Sequence, residues 1–219
     1  MPEPAWHQEP AVERKPAGTH GKGAKPVLLI ISGPPGAGKS TAARVLSDYL
    51  CLPVISVDLI KAGIVFTLKA TEGVTDDLTR PGGRATEPTF RASYDLIDCA
   101  LNSGVSVIAE KAWQRGWCEP ELGRFLPIAH VMQLHLACHP DEARERAVAR
   151  SASMGDVWQN FDDGTWSWSD FGPVALEVPT MTVSTHGGAQ VDPAEVERFM
   201  ESAIRGGSCG QGTRVEPKA

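Results

Sequence analysis

Residues 27–41 have the sequence VLLIISGPPGAGKST. The first five are apolar and rich in β-branched side chains, which is typical of a buried strand, and the pattern G-x-x-x-x-G-K-S follows at residues 33–40. Its glycines let the backbone turn so that successive N–H groups, and those of the next helix, face one anion. The stretch therefore predicts a site for the phosphates of a nucleoside triphosphate. An ordinary turn between strand and helix is the weaker alternative, because the strand, the glycine loop, the Lys-Ser pair and the helix all match the context of a phosphate-binding loop.

This loop supplies the expected ligands of ATP or GTP and of Mg²⁺. We expect Lys39 to contact the outer phosphates and to act in catalysis, and Ser40 to bind Mg²⁺. The nucleotide-binding residues expected here are Gly33, Pro34, Pro35, Gly36, Ala37, Gly38, Lys39, Ser40 and Thr41.

Composition limits the scale of the molecule and the kind of partner. The chain has 219 residues, 42% of them hydrophobic, which is enough for one core. We expect a single domain over residues 26–205, with disordered tails at 1–25 and 206–219, since the tails show no periodic apolar pattern. The formal net charge of −6 argues against a long nucleic acid, and no apolar run is long enough to cross a membrane. We therefore expect a cytoplasmic protein with a small-molecule acceptor. The expected protein partner is a second copy of the chain, in a homodimer.

Strand and helix patterns alternate along the chain, which predicts an α/β fold with helices on both faces of a central, mainly parallel five-stranded sheet. After the loop we expect strands at 54–58, 105–110, 130–137 and 181–184. Helices are expected at 41–50, 87–102 and 141–150, and a last helix opens at 192–195. Ligands of such sheets bind beyond the carboxyl ends of the strands.

Two of these strands end on a carboxylate, Asp58 and Glu110. Phosphoryl transfer needs an acid that positions the metal and a group that orients or deprotonates the acceptor hydroxyl. Asp58 ends the strand that comes directly after the first helix, at the place nearest the triphosphate. It is expected to act in catalysis and acceptor binding, as base, as Mg²⁺ ligand through water, or as both. Glu110 is the second candidate for acceptor binding and for Mg²⁺ through water. A solvated acid at a strand end is the alternative for each.

Three arginines lie on the helix at 141–150. Arg146 and Arg150 are four residues apart, so they share one helix face and can close over the nucleotide. We expect both to bind the nucleotide and Arg146 to neutralise charge that develops on the transferred group. Pairing with the acids of the same helix is the alternative.

The chain resembles the small P-loop kinases, in particular the group of chloramphenicol phosphotransferase-like, zeta-toxin-like and AAA-33-type ATP-dependent kinases. The resemblance covers residues 26–199 and is carried by the loop at 33–41, by Val57-Asp58, by the strand ending at Glu110 and by the arginine helix. It implies a P-loop NTPase three-layer sandwich, an acid at Asp58 that approaches the acceptor hydroxyl, and arginines that approach ATP. The group often has Asp where Glu110 stands, which leaves the metal role of Glu110 open.

Two variable segments are the candidates for acceptor recognition. Residues 67–88 are polar and rich in turns, and there Arg80 and Arg84, joined by Arg91 on the next helix, are expected to bind the acceptor. Residues 151–171 carry tryptophans among acids, and Trp166 is expected to contact the acceptor, with a packing role for these rings as the alternative.

Three functions remain open from the sequence. The leading one is a kinase that phosphorylates a hydroxyl of a small molecule, such as an antibiotic or another natural product. The second is a kinase of a nucleoside, nucleotide-sugar or polynucleotide end, in which the arginines hold an acceptor phosphate. The third is a nucleotide-switched binding protein with slow hydrolysis.

Overall fold

The computed structural model describes residues 25–73, 78, 82–154, 168–206 and 213–214. The strands are β1 Val27–Ser32, β2 Val54–Ser56, β3 Val107–Glu110, β4 His130–Ala137, β5 Thr180–Ser184 and β6 Thr213–Arg214. The helices are α1 Lys39–Leu50, α2 Val57–Glu72, α3 Thr86–Asn102, α4 Glu119–Gly123, α5 Pro140–Met154 and α6 Pro193–Gly206. In this part of the chain no helix combines the length and apolar character needed to cross a membrane.

The strands form one sheet in the order β2-β3-β1-β4-β5-β6, and every pairing is parallel. The five strands expected from the sequence are all present, and the two-residue β6 adds at the edge beside β5. Strand β1 lies between β3 and β4, so the loop that follows it leaves the middle of the sheet at its carboxyl edge. The fold is the α/β sandwich of the P-loop NTPases.

The sheet is buried on both faces, which explains the continuous apolar run of β1. Leu29 and Ile31 pack into a core with residues of α1 and α6 on one face. Leu28 and Ile30 pack on the other face with α3 and with the buried ring of Trp113. Side chains alternate between the faces of a strand, so a strand covered on both sides is apolar at every position.

The structure corrects the expected course of the chain after β2. The strand ends at Ser56, and Asp58 lies in the first turn of α2 rather than at a strand end. The reason is local, because the Ser56 side chain accepts a hydrogen bond from the backbone N–H of Leu59 at 3.4 Å and so caps the helix. Helix α2 covers residues 57–72, which were not expected to be helical. Strand β3 begins at Val107, two residues later than expected.

Candidate active site

The loop between β1 and α1 is a tight turn built on three glycines. Gly33, Gly36 and Gly38 have φ angles of 137°, 82° and 84°, a region that other residues rarely enter. A Cβ atom on Gly36 would lie 1.9 Å from the carbonyl oxygen of Ala143 in α5, and one on Gly33 would lie 2.4 Å from that of Leu136. The glycines therefore serve close backbone packing as well as the turn.

Lys39 is the first residue of α1 and its side chain folds back over the loop. The ammonium donates a hydrogen bond to the carbonyl oxygen of Pro34 at 2.8 Å, and the side chain is 6% exposed. Burial lowers the pKa of Lys39 to about 8, although the charges of Asp58 and Glu110 act in the opposite direction. An anion in the loop would supply the charge partner that this buried ammonium needs.

Glu110, the last residue of β3, is 1% exposed and lies beside the loop. Its Oε1 accepts hydrogen bonds from Ser56 Oγ at 2.5 Å and from Ser40 Oγ at 3.3 Å. Its Oε2 is buried and has no hydrogen-bond partner among the described residues. Burial raises the pKa of this carboxyl, and the nearby Asp58 adds to the rise. A carboxylate oxygen left without a partner next to a serine hydroxyl has the donor chemistry that suits Mg²⁺.

Asp58 faces the same cavity as Glu110 and Ser40. This cavity has a volume of about 410 Å³ and lies between α1, α2 and the end of α5. Residues lining it are Ser40, Ala43, Arg44, Ser47, Val54, Ser56, Asp58, Leu59, Glu110 and Arg150. The expected serine, both expected acids and one expected arginine thus meet at one place.

The two expected nucleotide arginines have different surroundings. Arg150 lines the cavity beside Glu110, and its charge helps to lower the pKa of Lys39. Arg146 pairs with Glu142 in its own helix and also donates to the carbonyl oxygen of Thr185 at 3.2 Å. Helix pairing, the alternative considered for these arginines, is therefore present at Arg146, and the contact to Thr185 ties α5 to the end of β5.

A second cavity has a volume of about 690 Å³. It lies between α3 and the segment that follows Glu110, and we call it the α3 cavity. Its lining includes the expected residue Arg91 and, in addition, Gly82, Gly83, Thr86, Glu87, Phe90, Tyr94, Asp95, Lys111, Gln114, Trp117, Cys118, Glu121 and Arg124. Arg84 is exposed close by and does not line it. Arg80 and Trp166 lie outside the described residues.

Two residues of this region were not singled out from the sequence. Ser56 links the cap of α2 to Glu110, and a serine directly before a helix-forming stretch is the signal that could have identified it. Lys111 follows Glu110 and lines the α3 cavity. The alternation of side chains along a strand could have placed it opposite Glu110.

Comparison with known proteins identifies the fold and the family. The family model AAA_33, described as an AAA domain, matches residues 28–167. A search of curated proteins finds no match.

Solved structures with the same fold include several kinases. A candidate kinase from Chloroflexus aurantiacus is 22% identical, with 82% of this chain and 99% of that chain covered and a TM-score of 0.66. An APS kinase from Mycobacterium tuberculosis, in complex with AMPPNP and APS, is 13% identical, with 81% and 99% covered and a TM-score of 0.55. A gluconokinase from Sinorhizobium meliloti is 18% identical, with 83% and 93% covered and a TM-score of 0.50.

Proposed function

This chain belongs to the AAA_33 family, and from that membership and the geometry of its site we propose that it is a phosphotransferase. It moves the γ-phosphate of ATP or GTP to a hydroxyl group of a small molecule. The observation that carries the proposal is the buried Glu110 carboxylate. One of its oxygens accepts a hydrogen bond from Ser40 of the phosphate loop, and the other has no hydrogen-bond partner among the described residues.

The phosphate loop and its lysine account for the nucleotide. The turn and the first turn of α1 supply backbone N–H groups of the kind that bind phosphate, and Lys39 adds a charge that is partly desolvated before any ligand binds. A charge in a water-poor site acts more strongly on developing negative charge than the same charge in water. The AMPPNP complex of the Mycobacterium tuberculosis APS kinase, which has the same fold, supports a nucleoside triphosphate as the donor.

Ser40 and Glu110 are the residues that would hold Mg²⁺, Glu110 directly or through water. When bound, the ion would neutralise charge on the phosphates and orient them. Asp58 lies across the same cavity and is the group that would orient the acceptor hydroxyl or accept its proton. Arg150 would stabilise charge on the transferred group from the end of α5.

The α3 cavity favours a kinase over a nucleotide switch. Its volume of about 690 Å³ is typical of sites for small ligands. Lys111, which directly follows Glu110, lines this cavity, so an acceptor bound there lies next to the residues at the end of β3. Kinases of the same fold, a gluconokinase among them, are consistent with a small acceptor.

The test is a screen for acceptor-stimulated ATP consumption, with mass spectrometry of the products. Sugars, aminoglycosides, nucleosides and amphenicol-type alcohols form the panel, each with ATP and with GTP. We expect one class to raise turnover and to gain one phosphoryl group. Lys39→Ala should lower that turnover by on the order of a hundredfold or more, while Lys69→Ala, in the last turn of α2, should leave it unchanged.

Two outcomes would contradict the proposal. One is near-wild-type turnover in folded Lys39→Ala protein. The other is ATP consumption that responds to a macromolecular partner and to no member of the panel, which is the behaviour of a switch.

A further inference from the structure

Lys111 brings a positive charge into the α3 cavity. Its ammonium lies 3.5 Å from the centre of the Phe90 ring and 5.4 Å from that of Trp113. Among the residues that the structure describes, no carboxylate lies within salt-bridge distance of it. Aromatic faces attract a cation, but more weakly than a paired carboxylate or phosphate does. They replace the hydration of the ammonium incompletely.

Burial also affects the ionisation of this side chain. It lowers the pKa of Lys111 to about 8, and the charge of Lys61 adds to the fall, while Cys118 and Asp58 act in the opposite direction. Lysine side chains usually extend their ammonium into water when they can, and here the ammonium lies over two rings instead. The residue is therefore prepared to gain a partner of opposite charge.

Other charges on the cavity wall are arranged differently. Arg124 already pairs with Glu121 at 3.1 Å and with Asp98 at 3.6 Å. Arg91 is exposed at the opening, one position after Phe90. Glu87 and Asp95 lie one turn from Arg91 on the same helix, at the rim formed by α3. The positive charge set deepest, against the aromatic rings, is that of Lys111.

Lys111 is also close to the reacting groups. It directly follows Glu110, and its backbone N–H donates to the carbonyl oxygen of Ile31 at the end of β1 at 3.4 Å. The charge of Asp58 is felt by Lys111 and by Lys39 alike. A group bound at Lys111 therefore lies in a region on which the charge of Asp58, the acid that would face the acceptor hydroxyl, acts.

We propose that the acceptor carries an anionic group, a carboxylate or a phosphate, which is bound by Lys111 with Arg91 at the cavity opening. This inference rests on the proposed function, because it takes the ligand to be the phosphoryl acceptor. Binding of the anionic group can be tested separately from phosphoryl transfer. Phe90 and the exposed Trp117 would flank the body of the ligand, while the anionic group pairs with the ammonium. An acceptor hydroxyl of the same molecule would then point towards Asp58.

The experiment measures binding of three hexoses that differ at one carbon. D-Glucose, D-glucuronate and D-glucose 6-phosphate carry an alcohol, a carboxylate and a phosphate at carbon 6. Isothermal titration on the full chain, with and without a non-hydrolysable ATP analogue, is compared for the wild type, Lys111→Met, Lys111→Arg and Lys69→Met. We expect at least one anionic hexose to bind about ten- to a hundredfold more tightly than glucose. Lys111→Met should abolish this preference, and Lys111→Arg and Lys69→Met should keep it.

The outcomes separate this inference from the proposed function. Preference for carboxylate over phosphate, or the reverse, identifies which anion the site takes. Equal binding of all three hexoses, or an anion preference that survives in Lys111→Met, overturns the inference. Loss of ATP-analogue binding in Lys111→Met would indicate that this variant is misfolded. The decisive variant is then Lys111→Arg, in which a tenfold loss of anion preference would overturn the inference. Anion binding that depends on Lys111 without any phosphoryl transfer would support the subsite and contradict the kinase.

Discussion

Replacing Glu110 with Gln should make the empty protein more stable and the nucleotide complex less stable. In the folded chain this carboxyl is 1% exposed, and Oε2 has no hydrogen-bond partner in the described structure. Folding thus removes a carboxylate from water without completing its hydrogen bonds, and burial raises its pKa. A carboxyl whose pKa is raised by folding costs no stability below its unfolded pKa, and the cost grows as the pH rises through its folded pKa. The stabilisation by Gln should therefore be larger at pH 8 than at pH 5.

The magnitude follows from the hydrogen bonds. A buried polar group without a partner costs about 1–3 kcal/mol, and more when it is charged. The glutamine oxygen can still accept from Ser56 and Ser40, but its amide nitrogen takes the place of Oε2 and is itself left without a partner. We expect a net gain of about 1–2 kcal/mol at pH 8, which is an increase of about 2–8 °C in melting temperature for a chain of this size.

Addition of Mg²⁺ and a non-hydrolysable ATP analogue should reverse the order. A ligand at a thousand times its Kd stabilises the folded state by about 4 kcal/mol, and the variant should lose most of that gain because it lacks the anionic oxygen that suits the ion. Thermal melts at pH 5 and pH 8, with and without the ligands, measure both effects. Glu201→Gln, an exposed acid that pairs with Arg205 in α6, is the matched control and should change neither.

Two results would refute this reasoning. A glutamine variant that is less stable than the wild type without ligands would mean that Glu110 stabilises the fold. An equal gain in stability from Mg²⁺ and nucleotide in both proteins would remove Glu110 from the metal site.

Two further substitutions test neighbouring parts of the site. Asp58→Asn cannot accept a proton, so we expect phosphoryl transfer to fall by roughly a hundred- to ten-thousandfold while ATP affinity by titration calorimetry persists; a collapse of Mg²⁺-dependent affinity would instead identify a metal ligand. Gly36→Ala places Cβ 1.9 Å from the Ala143 carbonyl oxygen at a φ of 82°, so strain and overpacking should together cost about 2–6 kcal/mol and weaken nucleotide binding. Gly38→Ala, where the space is open, should cost less in the same melts, and equal losses would contradict the role given to the Ala143 contact.

Local patterns were sufficient for the fold and for the phosphate loop. The apolar run of β1 and the glycine pattern lie within fifteen residues, and β4 spans the residues expected of it, His130–Ala137. Helix α2 was missed because the apolar residues of its first turns also suit a strand. Ser56 caps the helix and so favours helix over strand, but the apolar residues around it favour a strand.

The acceptor side could not be predicted in the same way. The α3 cavity joins Phe90 of α3 to Lys111 after β3, and only the packing of α3 against the sheet brings them together. The ammonium of Lys111 lies over the rings of Phe90 and Trp113, and Phe90 is distant from it in the sequence. The pairing of Arg146 with Glu142 and Thr185 likewise depends on how α5 sits beside β5.

The contact between Gly36 and Ala143 has a mechanical consequence for the arginine helix. Because the backbones of the phosphate loop and of the first turn of α5 are packed against each other, that end of the helix cannot move closer to the loop. Arg150 lies seven residues further along, about 10 Å at 1.5 Å per residue. An approach of its guanidinium to a bound nucleotide must therefore come from bending of the helix, from its far end or from rotation of the side chain, and not from a shift of the start of α5 into the loop.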